Sequence, residues 1–241
     1  MYARDDPSEG RCRLISTQYA AVMGFPQDLK LVGNDFSNAG SAFFIAYLIA
    51  EVLYGFILNK FPASRVMTVT IILWGITSAA MAAVSSYTEL IVARVFLGLF
   101  EGSISPCLAM IVSQWYTKSE QAPRFAIWYS GLGLGQILGG ILSFAFQHVH
   151  TGFASWRILF IVCGVVTVLL GFATLLIPTS PMAAPFLSVE EKAAILRHIS
   201  SNKTGVVNHQ FKASQLKEML VDPAIYLIFF MAILVSDESS M

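Results

Sequence analysis

Charge is what this chain has least of. Asp, Glu, Lys and Arg make up 12% of its 241 residues, about half the share carried by a soluble domain. The 15 basic and 15 acidic residues cancel, so no excess of either sign is available for a nucleic-acid footprint or a polybasic membrane-surface patch. Cysteine is scarce as well. Cys12, Cys107 and Cys163 lie far apart, two of them in apolar runs, and no Cys-x-x-Cys or Cys/His spacing offers a zinc site or a disulfide framework. They are read as packing residues.

Catalytic and nucleotide motifs are missing too. Gly102-Ser103-Ile104-Ser105-Pro106 lacks the second glycine of a nucleophile elbow, and His148 and His150 fall in a joint between runs, away from any serine. The pair is read as loop histidines and not as metal ligands. The run Gly131-Leu132-Gly133-Leu134-Gly135-Gln136-Ile137-Leu138-Gly139-Gly140 fails G-x-G-x-x-G in both registers, because Gln136 or Leu138 takes the third glycine position. A P-loop fails because Ile141 follows where lysine is required. The expectation is no enzyme activity, no cofactor and no metal.

Apolar residues are what the chain has in excess. They reach 56%, with mean hydropathy +0.66. A bilayer core about 30 Å thick needs about 20 apolar helical residues per crossing. Five runs meet that length, 39–58, 66–84, 90–112, 125–146 and 158–177, and predict an all-α membrane bundle over 39–177. A shorter apolar stretch opens 224–241 and ends at Ser236-Asp237-Glu238, which reads as the truncated start of a next helix. Residues 1–38 read as a polar N-terminus and the remnant of an incomplete first helix, without the apolar core or cleavage site of a signal peptide.

Basic residues set an orientation. Lys60 and Arg65 follow the first run, Lys118 and Arg124 the third, and 178–223 holds Lys192, Arg197, Lys203, Lys212 and Lys217. The alternate joints carry at most Arg157. The positive-inside rule places the basic joints in the cytoplasm, although Arg4, Arg11 and Arg13 fall on the other side unless a further helix precedes them. The 178–223 loop contains a capping box, Ser188-Val189-Glu190-Glu191. It predicts an amphipathic helix with Ile195, Leu196 and Ile199 on one face and Lys192 and Arg197 on the other, lying at the membrane or on the cytoplasmic helix ends.

Glu51, Arg94 and Glu101 fall inside the runs. Each costs about 2.5–3.5 kcal/mol at a helix centre, so such residues mark a wet cavity, a partner or a solute pathway. Arg94 and Glu101, seven residues apart, share one face about 10 Å apart along the axis. A guanidinium can hold a carboxylate bidentately and a glutamate can carry a proton, so the pair suits an anion plus H⁺. The alternatives are that Arg94 snorkels to the interface and that Glu101 pairs with a neighbour. Glu51 either carries a proton or latches onto Arg124 or Arg65. Gly131, Gly135 and Gly139, like Gly98 and Gly102, recur every fourth residue and predict close helix packing, with Gln136 facing a cavity.

These pieces together resemble a known family. Arg94-Val95-Phe96-Leu97-Gly98-Leu99-Phe100-Glu101-Gly102 with Pro106, Gln114-Trp115-Tyr116-Thr117 through Glu120 and Arg124, the glycine run, Trp156-Arg157-Ile158-Leu159-Phe160, and Pro178-Thr179-Ser180-Pro181 before Phe186-Leu187 are similar to the major facilitator superfamily. Within it they are most like the anion:cation symporters of the fungal allantoate permease branch. The resemblance implies an incomplete N-terminal six-helix half of that fold, five full spans plus partial ones, with the solute site between two halves. It implies that Arg94 binds the substrate anion and Glu101 carries the coupled proton. The family's gating loop, G-x-x-x-D-[RK]-x-G-R-[RK], is matched by Gly55, Lys60 and Arg65, but Asn59 replaces its acid and Pro62 its second glycine, so Glu51 is expected to substitute. Gln136 stands where the family commonly has proline.

The function implied is proton-coupled symport of a small organic anion such as allantoate, ureidosuccinate or a vitamin acid, in the plasma membrane. The alternative is a non-transporting truncated membrane protein that associates with a full-length relative. The expected partners are the anion, the proton and the lipid bilayer, with no nucleic acid and no oligomeric state implied.

Overall fold

Backbone amides in hydrocarbon have no water to bond, so an apolar run long enough to cross must satisfy them within itself, as a helix. The computed structural model describes residues 24–147, 154–200 and a few positions between 221 and 231, and no strand is present among them. A single turn, α1 (Phe25–Asp28), is followed by α2 (Asp35–Ile57), α3 (Ala63–Ala80), α4 (Tyr87–Glu101), α5 (Ile104–Trp115), α6 (Lys118–Gln147), α7 (Ser155–Ala173) and α8 (Val189–Ser200). Five segments are long and apolar enough to span: Asp35–Ile57, Ala63–Ala83, Tyr87–Trp115, Lys118–Phe146 and Ser155–Leu176. The chain is an integral, multi-pass, all-α membrane protein. The described residues between 221 and 231 belong to a separate unit and are helical apart from Asp222. His148, His150, Cys12 and the basic N-terminal residues lie outside the described residues.

The helices begin three to seven residues before the apolar runs, because polar residues at a membrane boundary still belong to the helix they start. Asp35, Glu89 and the stretch from Lys118 to Arg124 are such residues. Glu89 shows why. Its amide bonds the Ser86 hydroxyl at 3.3 Å while its carboxylate accepts from the Ser85 amide at 2.8 Å, closing the start of α4.

The run 90–112, expected as one helix, is two. Pro106 has no N–H for the Gly102 carbonyl one turn earlier, and the helix breaks between Glu101 and Ile104. Ser103 fills the break. Its Oγ is buried, 2.7 Å from Thr70 Oγ1 of α3 and 2.9 Å from the Phe100 carbonyl.

Lipid is as apolar as leucine, so helices associate through close packing and a few polar contacts. The α3–α7 pair is the most extensive contact, followed by α2–α4. At Gly75 an added Cβ would lie 2.8 Å from Val168 Cγ2 and 2.9 Å from the Gly164 carbonyl. Thr68 and Thr174 hydroxyls meet at 2.9 Å, and Ser64 donates to the Ile177 carbonyl at 2.6 Å, tying the same two helices at their far end. The opposite end closes around Trp156, which is fully buried. Its ring meets Phe25 edge-on at 4.9 Å and its Nε1 donates to Asp28 Oδ2 at 2.7 Å.

Glycine spacing alone is a poor guide to which faces pack. Gly98 and Gly102 do lie against α2, but an added Cβ at Gly131 or Gly135 meets nothing within 4 Å. The expected packing stripe on α6 is therefore corrected at Gly131 and Gly135. Among the described residues those two glycines contact no other helix, and α6 meets mainly α7 and α5. The expected capping box is present, with the Glu191 amide 3.2 Å from Ser188 Oγ and the Ser188 amide 2.8 Å from Glu191 Oε2.

Candidate functional site

The polar face of α4 is positioned by its contact with α2. Gly98 packs onto the Phe43 carbonyl and the Ala46 Cβ, and an added Cβ at Gly102 would come within 2.9 Å of Ala50 Cβ and the Tyr47 carbonyl. Two bare turns let the helices touch, and Arg94 and Glu101 flank them. Arg94 is 2% exposed, so its guanidinium does not snorkel to water at the helix end, and that alternative is set aside.

Glu101 is half-buried, within reach of the Arg94 charge and of the Trp74 side chain of α3. Tyr47 reaches the same region from α2. Its hydroxyl lies 3.4 Å from Ser105 Oγ, and Glu51, one turn further along, and Glu101 are close enough to act on it electrostatically. Ser105 enters from the first turn of α5, just past the helix break. Four helices thus bring together a buried cation, two carboxyl groups, a phenol, an indole and a hydroxyl.

Other candidates lie elsewhere. Gln136 is exposed on α6, a helix that packs on α7 and α5 rather than on the α2–α4 contact. Asn59 donates its amide to the Gly55 carbonyl at 2.8 Å, closing the end of α2, while Lys60 and Arg65 are exposed in the short joint to α3. Glu51 does not latch onto Arg124. That guanidinium sits 3.6 Å over the Tyr116 ring and donates to the Glu120 carbonyl at 2.8 Å. Among the described residues no group of three or more His, Cys, Asp or Glu side chains is arranged to hold a metal ion.

Sequence reasoning missed Tyr47, Trp74 and Ser105. Tyr47 carried a signal, since it precedes Glu51 by one helical turn and therefore shares its face. Trp74 carried none, being one aromatic in an apolar run.

A buried arginine and a half-buried glutamate on one helix, inside a bundle of spanning helices, define a multi-pass membrane protein with a polar site within the bilayer. The sequence profile of the Major Facilitator Superfamily matches residues 15–236, and the chain belongs to that family. Similar proteins include the thiamine pathway transporter of Saccharomyces cerevisiae, 43% identical over 205 residues covering 84% of this chain and 39% of that protein. The allantoate permease of the same yeast is 36% identical over 225 residues, covering 91% of this chain and 41% of the permease. An uncharacterized transporter of Schizosaccharomyces pombe is 35% identical over 223 residues, 92% of this chain and 44% of that protein. The chain spans about two fifths of the length of these relatives.

Proposed function

We propose that the chain supplies one wall of a transport site that carries a small organic anion across the plasma membrane together with a proton. The observation that carries this reading is Arg94, a guanidinium 2% exposed inside a spanning helix, with a titratable carboxyl on the same face. A guanidinium inside a spanning helix marks a solute pathway, and its planar fork can hold a carboxylate-bearing solute bidentately. The name of the allantoate permease specifies a cargo of that charge. The thiamine pathway transporter names a pathway and fixes no cargo.

In this reading Arg94 holds the anion and Glu101 exchanges the proton. Trp74 holds the Glu101 carboxyl in place, and Tyr47 links it to Glu51, a second acid nearer the helix end. The site in this family lies between two halves, so the exposed Gln136 of α6 faces solute from the side that the rest of the protein completes. Gly55, Asn59, Lys60 and Arg65 form the gating joint, with Asn59 capping α2 in place of the usual acid.

The test is uptake into proteoliposomes by the chain extended to the length of its relatives, with the outside acid and allantoate, ureidosuccinate and nicotinate offered separately. Accumulation of at least one of them above equilibrium, abolished by a protonophore, is expected. Equal uptake with and without the pH gradient would remove the proton from the account, and no uptake of any anion would remove the anion.

A further inference from the structure

A cavity of about 410 Å³ opens where the end of α5, the start of α6 and α8 meet. Its walls include the rings of Trp115 and Tyr116, the aliphatic Ile195, and the ionisable Glu120, Arg124 and His198. The two opposite charges on α6 do not pair with each other. The Glu120 carboxylate accepts from the Thr117 amide at 3.0 Å and meets His198 Nε2 at 3.2 Å. Arg124 is laid over Tyr116 and gives one N–H to a backbone carbonyl. Of the five N–H donors of a guanidinium, most are left, and no carboxylate among the described residues answers the charge.

The position of the cavity narrows what can answer it. One candidate span ends at Trp115 and the next begins at Lys118, so the cavity lies at the boundary of the bilayer, where Trp and Tyr favour the headgroup level. The segment leading into α8 points the same way. Met182 is 58% exposed, Phe186 66% and Val189 83%, beside Glu190 and Glu191 as well as Lys192 and Arg197. Exposed apolar side chains beside a strongly charged helix face are the pattern of a surface that lies in the lipid boundary.

We propose that this cavity binds the headgroup of an anionic phospholipid of the leaflet facing it, with Arg124 on the phosphate and Trp115, Tyr116 and Ile195 against the glycerol and upper acyl carbons. Cytoplasmic orientation of this joint, where anionic lipid is enriched, follows from the distribution of basic residues. The site is separate from the Arg94–Glu101 region and does not depend on the transport reading.

The experiment uses the purified chain in a neutral detergent and follows its melting midpoint with dioctanoyl phosphatidylserine, dioctanoyl phosphatidylcholine or inorganic phosphate at equal concentration. Phosphatidylserine is expected to raise the midpoint by about 2–4 °C, with little effect from the other two. The rise should vanish in Arg124→Gln and be retained in Lys192→Gln. Should Arg124→Gln fail to fold, Ala194→Trp serves instead, since it fills the cavity and leaves the arginine in place. An equal rise with phosphatidylcholine, the same rise with phosphate alone, or a full phosphatidylserine response in the Arg124→Gln or Ala194→Trp variant would overturn the proposal.

Discussion

At the scale of single residues, two glycines with the same sequence spacing have opposite surroundings. Gly98 lies on the Phe43 backbone with Tyr47 and Ala46 beside it, whereas Gly135 meets nothing within 4 Å among the described residues. Gly98→Leu is therefore expected to cost about 3 kcal/mol or more through overpacking, and Gly135→Leu to stay within about 0.5 kcal/mol. Melting midpoints of the two purified variants in one detergent check this, and equal losses would contradict it. Arg94 and Glu101 were legible because ionisable residues are costly in an apolar run, and no fold is needed to see that. Their company was not, since Tyr47, Trp74 and Ser105 reach the site through tertiary placement. Arg94→Lys separates charge from shape. It keeps the cation and loses the planar fork, so substrate affinity is expected to fall at least about tenfold with the folded yield preserved, measured by substrate-dependent thermal shift in the extended chain.

At the scale of elements, the five spans were legible from length and hydropathy, and the capping box announced α8. The split between α4 and α5 was not read, although Pro106 and Gly102 carried its chemistry, because hydropathy does not see a missing N–H. The α8 cap also has a pH signature. The Ser188 amide holds the Glu191 carboxyl below its ordinary range. A depressed folded value means that the cap's contribution is present above the unfolded carboxylate value, about 4.3, and is lost as pH falls through the folded value. Amide exchange in the first turn of α8, corrected for intrinsic rates, is expected to be constant from pH 7 to about 5 and to rise below about pH 4. Glu191→Ala should show the faster exchange at every pH. Identical profiles for the two proteins would detach the cap from Glu191.

At the scale of the whole molecule, orientation links the sequence to function. Asn202-Lys203-Thr204 is a glycosylation sequon in the 178–223 loop, outside the described residues and expected in the cytoplasm, where it stays unmodified. A glycosidase-sensitive mass shift that disappears in Asn202→Gln would invert the topology and with it the leaflet assigned to the lipid cavity. Hydropathy sufficed for the spans of the bundle, while basic-residue counts supply an orientation that the glycosylation assay tests. The packing partners of the glycine faces were not legible, because a smooth face is equally smooth toward a neighbour helix, lipid or another half of a protein.

The proton role of Glu101 is the claim on which the transport account turns, and Glu101→Gln in the chain extended to the length of its relatives tests it most directly. The substitution keeps the shape and removes the exchangeable proton. In proteoliposomes loaded with unlabelled anion at equal pH, exchange of labelled anion should persist at a rate within about threefold of the unsubstituted protein, a barrier change under about 1 kcal/mol. With an acid exterior and empty liposomes, accumulation above equilibrium should disappear. Undiminished accumulation by the Glu101→Gln protein would contradict the account.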